Sequence, residues 1–269
     1  MKLTLIQSKL FWEDRPKNLE HFTALIASIK EETDLIVLPE MFSSGFSMNP
    51  KLVAEPADGE SVNWLKKMAA EKNAVITGSL AIEEKGYYYN RLYWVNPSGD
   101  IKTYNKRHLF RMAKEDSFYK SGDQKIITQI KDWRICPLVC YDLRFPVWSR
   151  NKFNSTKHSD LKTGSWEFDV LLYVANWPEI RTYPWKQLLI ARAIENQCYV
   201  VGLNRIGEDG NGFAHSGDSV VINPRGEVIS KTRANEESIE TISLDKPYLE
   251  EFRKLFPVGL DADEFNLNC

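Results

Sequence analysis

Val139-Cys-Tyr-Asp-Leu-Arg-Phe-Pro146 is the stretch that decides how this chain folds and what chemistry it carries. The apolar run Trp133–Val139 that leads into it is typical of a buried strand. Pro146 suits the first turn of a helix, where its missing N–H costs nothing. Cys140 is therefore predicted to lie at a strand-to-helix elbow, with free backbone N–H groups beside it. A thiol there is a candidate acyl-transfer nucleophile, although free cysteines often only fill a core.

The overall composition is that of an ordinary globular chain. It has 269 residues, 43% hydrophobic and 27% charged, with a net charge of -2. That length accommodates one large domain or two small ones, and the absence of repeats and linkers favours a single domain of mixed strands and helices. The near-neutral charge argues against nucleic acid as a partner. No apolar run is long enough to cross a membrane, so we expect no membrane partner.

The cysteines indicate the compartment. None of the four belongs to a Cys-x-x-Cys pair, and no cluster of histidines accompanies them, so no metal site is predicted. A disulfide framework is not expected at this size, and reduced thiols in the cytoplasm are the simplest interpretation. The four are Cys136, Cys140, Cys198 and Cys269.

Three predicted strands end at a residue that can do chemistry: Glu40, Lys106 and Cys140. Strand ends hold side chains rigidly while the adjoining loops leave them reachable. A carboxylate can take the proton of a thiol and return it to a leaving amine. An ammonium, with the backbone N–H of Tyr141 as a second donor, can stabilise a thiolate and then an oxyanion. Taken singly, the glutamate and the lysine also fit solvated loop positions.

Several motifs together resemble the nitrilase superfamily of carbon–nitrogen hydrolases, and their order matches. The motifs are Leu38-Pro-Glu40, Lys106-Arg-His-Leu-Phe110, Cys140-Tyr-Asp-Leu-Arg-Phe-Pro146, Ala175-Asn-Trp-Pro178 and Arg192-Ala-Ile-Glu-Asn196. The resemblance implies an α/β fold, a four-layer α-β-β-α sandwich. It also implies one C–N hydrolase domain over residues 1–269, with a core at about 2–244 and a C-terminal helix and tail at 245–269. A homodimer formed through helices beside Cys140 and 192–196 is implied, with no metal or organic cofactor.

Within the superfamily the chain resembles the omega-amidase branch, through Lys106-Arg-His-Leu-Phe-Arg-Met-Ala113 and the tyrosine-containing stretch before Ser121-Gly-Asp123. Enzymes of that branch hydrolyse the terminal amide of 2-oxoglutaramate and related 2-oxo acid amides. The resemblance makes Glu40 the general base, Lys106 the oxyanion-stabilising cation and Cys140 the nucleophile that forms a thioester. Glu115 fits the position of a second glutamate. Val147 departs from the pattern, since many members carry a glutamate there.

The substrate side is predicted from residues near these motifs. Arg144 is a candidate for binding a distal carboxylate, and the alternatives are an ion pair at a helix start or a dimer contact. Phe42 and Trp177 could form walls around the acyl chain or belong to the core. Tyr141 follows the nucleophile. Weaker candidates are Tyr119 and His108, whereas Arg192 and Glu195 are predicted to pair structurally on a helix.

Two other functions stay open on these residues. The same Glu-Lys-Cys set would serve a carbamoylase, an aliphatic amidase or a nitrile hydrolase, so the motifs do not select the acyl group. A non-catalytic dimeric interaction module is a different class, and its mark would be the loss of a catalytic residue. The small-molecule amide hydrolase is the preferred hypothesis.

Overall fold

The computed structural model describes residues 1–158 and 161–263, and for residues 155–163 no side chain is described. Cys269 and the end of the predicted C-terminal tail lie outside the described residues. The strands are β1 (Lys2–Gln7), β2 (Leu35–Val37), β3 (Glu55–Pro56), β4 (Val75–Glu84), β5 (Tyr87–Val95), β6 (Ile101–Asn105), β7 (Thr128–Ile130), β8 (Trp133–Val139), β9 (Phe153–His158), β10 (Leu161–Trp166), β11 (Val170–Ala175), β12 (Tyr199–Asn204), β13 (Ile206–Glu208), β14 (Ala214–Ser216), β15 (Val220–Ile222) and β16 (Ser238–Ser243).

The helices lie between these strands or follow the last of them. The α-helices are α1 (Arg15–Ser28), α2 (Pro50–Val53), α3 (Glu60–Lys72), α4 (Glu115–Phe118), α5 (Pro146–Ser149), α6 (Thr182–Asn196) and α7 (Lys246–Leu255). The 3-10 helices are Arg111–Ala113, Cys140–Arg144, Glu179–Arg181 and Val258–Asp261. Among the helices of the described residues, none has the length and apolar character that crossing a membrane requires.

Two large sheets organise the described strands. The first has the order β16-β1-β2-β4-β5-β6, with β3 beside β4, and the second has the order β15-β12-β11-β8-β7. Neighbouring central strands are parallel: β1, β2 and β4 in the first sheet, and β8, β11 and β12 in the second. Their residues are mostly buried on both faces, as expected where a parallel sheet is covered on both sides.

The layers follow from where the apolar side chains pack. Leu5 and Val37 of the first sheet share one core with Leu138 and Leu172 of the second sheet. A second core on the other face of the first sheet contains side chains of α1 and α3. On the outer face of the second sheet, α6 approaches so closely that a Cβ at Gly202 would lie 2.6 Å from a methyl of Leu189. The predicted four-layer α-β-β-α sandwich is confirmed.

The strand directions bring the predicted functional residues to one edge. β5 runs antiparallel to both β4 and β6, so β6 runs in the same direction as β2 and β4. Glu40 and Lys106 therefore follow the same edge of the first sheet. Cys140 and Asn176 follow the carboxyl ends of the parallel strands β8 and β11 in the second sheet.

Candidate active site

The predicted elbow is present at Cys140. β8 ends at Val139, the 3-10 helix Cys140–Arg144 follows directly, and α5 begins at Pro146. The backbone of Cys140 has a φ of 44°, a left-handed conformation that costs a residue with a Cβ roughly 1–2 kcal/mol. The resulting sharp turn leaves Cys140 in the wall of a cavity of about 520 Å³. Strain of this kind is commonly found at functional positions.

Glu40, Lys106 and Glu115 meet beside this elbow, and we call them the acid–lysine cluster. Lys106 Nζ lies 2.9 Å from Glu40 Oε1 and 2.9 Å from Glu115 Oε2. It also donates to Glu115 Oε1 at 3.0 Å. All three side chains are fully buried. The three predicted strand ends therefore do converge, and Glu115 joins them from the start of α4.

Polar groups from neighbouring elements hold the two carboxylates. Asn90 Nδ2 donates to Glu40 Oε1 at 2.8 Å and to Glu115 Oε1 at 3.2 Å, and Ser79 Oγ donates to Asn90 Oδ1 at 2.8 Å. The backbone N–H of Asn176 donates to Glu40 Oε2 at 2.8 Å. Three members of this site were not predicted from the sequence: Ser79, Asn90 and Asn176. Ser79 and Asn90 are polar side chains inside largely apolar strands, and Asn176 is a polar residue directly after one.

The charges in the site favour a neutral thiol at rest. Burial raises the pKa of Cys140 well above its usual range, and the adjacent carboxylate of Glu40 raises it further. Burial alone would lower the pKa of Lys106, but the charges of Glu115 and Glu40 outweigh burial and raise it. Burial raises the pKa of Glu115, although Lys106 opposes this. The lysine is thus firmly protonated, and a neutral thiol would need a base before it could act as a nucleophile.

Asp142, two residues after the cysteine, ties the elbow to the loop after Lys106. Its Oδ2 accepts from Tyr104 Oη at 2.7 Å and from the backbone N–H of Val139 at 3.1 Å. Its Oδ1 accepts from the backbone N–H of His108 at 3.0 Å and lies 2.8 Å from His108 Nδ1. The weak candidate His108 therefore supports the elbow through a fully buried carboxylate.

The cavity walls carry most of the predicted substrate-side residues. Tyr141, Arg144 and Trp177 line the cavity together with Lys106 and Cys140. The guanidinium of Arg144 lies 5.0 Å from the ring centroid of Trp177, within the range of a cation–π contact. The cavity is of ordinary size for a small-molecule site.

The assignment of Phe42 to the cavity wall is wrong. Phe42 is fully buried and packs edge-on against Phe22, with Trp64 on another side. The reason is the tight turn after Glu40, where Met41 has a φ of 43° and turns the next side chain into the core. Phe46 occupies the predicted position instead: it lines the cavity, and its ring centroid lies 5.0 Å from Lys106 Nζ.

The remaining candidates have structural contacts. Tyr119 is buried and donates from its hydroxyl to the carbonyl of Ser47 at 2.8 Å. Arg192 pairs with Glu195 at 2.9 Å, as predicted, and also donates to the carbonyl of Leu143 at 2.7 Å, which joins α6 to the elbow. Within residues 1–158 and 161–263, no group of three or more His, Cys, Asp or Glu side chains is placed to hold a metal ion.

Comparison with known proteins identifies the class. The family described as carbon-nitrogen hydrolase matches residues 2–254. The omega-amidase YafV of Escherichia coli strain K12 is 47% identical over 267 residues, covering 99% of this chain and 98% of that protein. The 2-oxoglutaramate amidase of Bacillus subtilis strain 168 is 33% identical over 264 residues, covering 96% of each.

A solved structure extends the likeness to three dimensions. A CN-hydrolase superfamily protein of Xanthomonas campestris, with an arsenic adduct in its active site, superposes with a TM-score of 0.94 at 41% identity. The match covers 100% of this chain and 99% of that one. This chain belongs to the carbon–nitrogen hydrolase family of the nitrilase superfamily. The predicted enzyme class is confirmed: it is an amidase that acts on C–N bonds other than peptide bonds.

Proposed function

We propose that this chain hydrolyses the terminal amide of small 2-oxo dicarboxylic acid monoamides, such as 2-oxoglutaramate and 2-oxosuccinamate, through a thioester on Cys140. The observation that carries the proposal is the position of Cys140. Cys140 lines the same cavity as Lys106 of the acid–lysine cluster and Arg144, and the charges of Glu40 and Lys106 act on its thiol. The identity to an omega-amidase and a 2-oxoglutaramate amidase over almost the whole chain supports this choice of substrate.

In the first half-reaction Glu40 removes the proton of Cys140 as the sulfur attacks the amide carbon. The C–S bond forms while the carbonyl π electrons move to oxygen, which gives a tetrahedral oxyanion. Lys106 Nζ and the backbone N–H of Tyr141 are the donors for that oxygen. Glu40 then returns the proton to the nitrogen, the C–N bond breaks, and ammonia leaves behind a thioester.

The second half-reaction repeats the sequence with water. Glu40 takes a proton from the water as its oxygen attacks the thioester carbon. The C–S bond then breaks, the proton returns to the sulfur, and the carboxylic acid product leaves. The thiol is regenerated in the neutral form that its raised pKa favours.

The acid–lysine cluster suits this cycle because of its charge. Two carboxylates face one ammonium, so the resting cluster is short of positive charge. Proton transfer to Glu40 neutralises one carboxylate at the moment when the substrate oxygen becomes negative. The positive charge of Lys106 then becomes available to the oxyanion without any side chain moving, which is the preorganisation that makes electrostatic catalysis effective. Glu115 keeps Lys106 in position throughout.

The proposal includes a homodimer in the cytoplasm. Apolar side chains stand exposed on α5 and α6 near the elbow: Val147, Tyr183 and Ile194 are 51%, 76% and 52% exposed. Contact with a second copy would cover them. The cysteines at 136, 140 and 198 are all free thiols, which fits a reducing compartment.

The test is detection of the covalent intermediate. Intact-mass measurement after rapid mixing with 2-oxoglutaramate is expected to show an acyl adduct, and digestion should locate it on Cys140. Ammonia release from a panel of amides, N-carbamoyl compounds and nitriles ranks the substrate classes. A faster rate with N-carbamoyl compounds or nitriles, or an adduct on another residue, would contradict the proposal.

A further inference from the structure

Two guanidinium groups line the cavity from neighbouring 3-10 helices. Arg144 ends the helix Cys140–Arg144, and Arg181 ends the helix Glu179–Arg181. Each lies against an aromatic ring: Arg144 is 5.0 Å from the centroid of Trp177, and Arg181 is 5.2 Å from that of Phe110. Stacking of this kind fixes the plane of a guanidinium and leaves its N–H edge free to donate. Arg181 was not predicted from the sequence.

Among the described residues, neither arginine has an ion pair with a carboxylate. The third cation of the cavity wall, Lys106, is held by Glu40 and Glu115. The carboxylates in the wall are engaged with other groups. Glu13 Oε1 accepts from Ser47 Oγ at 2.5 Å, and Asp209 Oδ1 accepts two backbone N–H groups of its own loop at 2.8 and 3.0 Å. Within the part of the chain that the structure describes, the two arginines therefore line the cavity without a carboxylate in direct contact with either of them.

The arginines are fixed relative to the acid–lysine cluster through one loop. Trp177 Nε1 donates to the carbonyl of Arg181 at 2.8 Å, and the preceding Asn176 donates its backbone N–H to Glu40. Burial lowers the pKa of Arg181, and the nearby charge of Arg144 lowers it further; Cys140 would oppose them only as a thiolate. Two like charges held near each other without a counter-ion are unfavourable until an anion binds between them.

We propose that Arg144 and Arg181 together bind the carboxylate at the far end of the substrate, and that Arg181 is a specificity-determining residue. The inference rests on the proposed function and names the second half of its anion site. A carboxylate with an adjacent 2-oxo oxygen offers acceptors for the planar N–H edges of both guanidiniums. Such a site selects amides that carry an anionic group and rejects neutral amides of the same length, because their binding leaves the two charges unpaired.

The first test compares two substrates in Arg181→Met. For 2-oxoglutaramate we expect kcat/KM to fall roughly 10- to 100-fold, mainly through KM, because a charge-assisted hydrogen bond is lost. For the uncharged pentanamide we expect a change of no more than about twofold, or a gain. Arg111→Met is the matched control, since Arg111 is 86% exposed and outside the cavity lining. Equal losses on both substrates, or no loss on either, would overturn the inference.

The second test separates this inference from the proposed function. Calorimetric binding of the product 2-oxoglutarate does not depend on turnover, and we expect Arg181→Met and Arg144→Met each to weaken it. If the two arginines share one carboxylate, the double variant loses less than the product of the single losses. Unchanged binding with normal wild-type turnover overturns the arginine pair and leaves the proposed function standing. Weakened binding without any wild-type turnover of 2-oxoglutaramate overturns the proposed function instead.

Discussion

The acid–lysine cluster and the arginine pair (Arg144 and Arg181) are both charged regions of one cavity, but they are built differently. In the cluster each carboxylate is paired with Lys106 and held by further hydrogen bonds at full burial. The arginine pair is only partly buried, rests on aromatic rings and has no acidic partner among the described residues. If the proposed anion site is correct, the cluster is complete before the substrate arrives, whereas the arginine pair is completed by the substrate.

Replacing Cys140, the proposed nucleophile, is the most severe test of the acid–lysine cluster and its cysteine. In Cys140→Ala we expect kcat/KM for 2-oxoglutaramate to fall by roughly 10⁴-fold or more, as for other covalent nucleophiles. The free energy of unfolding should change by less than about 1 kcal/mol, because the cluster does not depend on the sulfur for its hydrogen bonds. Ammonia release and urea unfolding measure the two effects.

Cys198→Ala is the matched control for that experiment. Cys198 is a fully buried thiol next to β12, outside the cavity lining. Its loss should reduce stability by about 1–2 kcal/mol through a small void and leave kcat within about twofold. A comparable loss of activity in both variants would mean that Cys140 acts through packing.

Removing the cation tests whether the cluster is held together by charge. In Lys106→Met two buried carboxylates face each other without compensation, and we expect the free energy of unfolding at pH 7 to fall by about 3–5 kcal/mol. Without the ammonium that opposes burial, the pKa of Glu115 in the folded variant rises further, so the folded state binds this proton more tightly than the unfolded state. The deficit relative to the wild type should therefore be smallest in acid and should grow as the pH rises.

Lys102→Met provides the comparison on the same strand. Lys102 is exposed on β6, and its replacement should change stability by no more than about 0.5 kcal/mol. Urea unfolding between pH 5 and pH 8 measures both variants. If the deficit of Lys106→Met does not change with pH, packing rather than charge holds the cluster together.

His215 can be compared with the arginine pair, because it is a basic group in the same cavity wall but is buried. Burial lowers its pKa to about 4 from 6.5, and the charge of Arg205 adds to the effect. Between about pH 4 and pH 6.5, His215 is protonated in the unfolded chain but neutral in the folded chain. Stability should therefore fall as the pH drops from 6.5 towards 4, by about 3 kcal/mol in total from this residue.

The experiment compares acid unfolding of the wild type and His215→Gln. The variant should lose less stability than the wild type between pH 7 and pH 4.5, and the two should run parallel above pH 7. Identical acid limbs would show that His215 titrates normally. In that case a buried group in this wall would keep its charge as easily as the more exposed arginine pair does, and the difference in burial between them would have no electrostatic consequence.

Much of this architecture could be predicted from local sequence. Glu40, Lys106 and Cys140 each follow a strand, and a strand that ends in a polar residue has the same meaning in any covered sheet. β16 was not predicted, although Ser238-Ile-Glu-Thr-Ile-Ser243 alternates as a strand does. Its partner is β1, at the other end of the chain, and no local signal points to that pairing.

Side-chain direction was harder to predict than strand position. Phe42 and Phe46 are alike in type and lie four residues apart, and only the turn at Met41 decides which of them faces the cavity. In the sequence Asn90 is an ordinary polar residue in a strand. Its contact with two carboxylates depends on how the strands of the sheet pair, which the local sequence does not show. Arg181 follows a Pro-containing loop whose path depends on the hydrogen bond from Trp177 to its carbonyl.

Asp142 joins the two regions, and we expect its replacement by Asn to change stability less than Lys106→Met or the titration of His215. The carboxylate accepts from four groups: the hydroxyl of Tyr104, the backbone N–H of Val139, and the backbone N–H and ring of His108. An amide keeps the shape but places its NH₂ against two of these donors. We expect a loss of about 2 kcal/mol in the free energy of unfolding and a fall in kcat with little change in KM, since the anion site keeps both arginines. A rise in KM without a fall in kcat would instead mean that Asp142 positions Arg144 rather than Cys140. The elbow would then contribute more to substrate binding than to the chemical step.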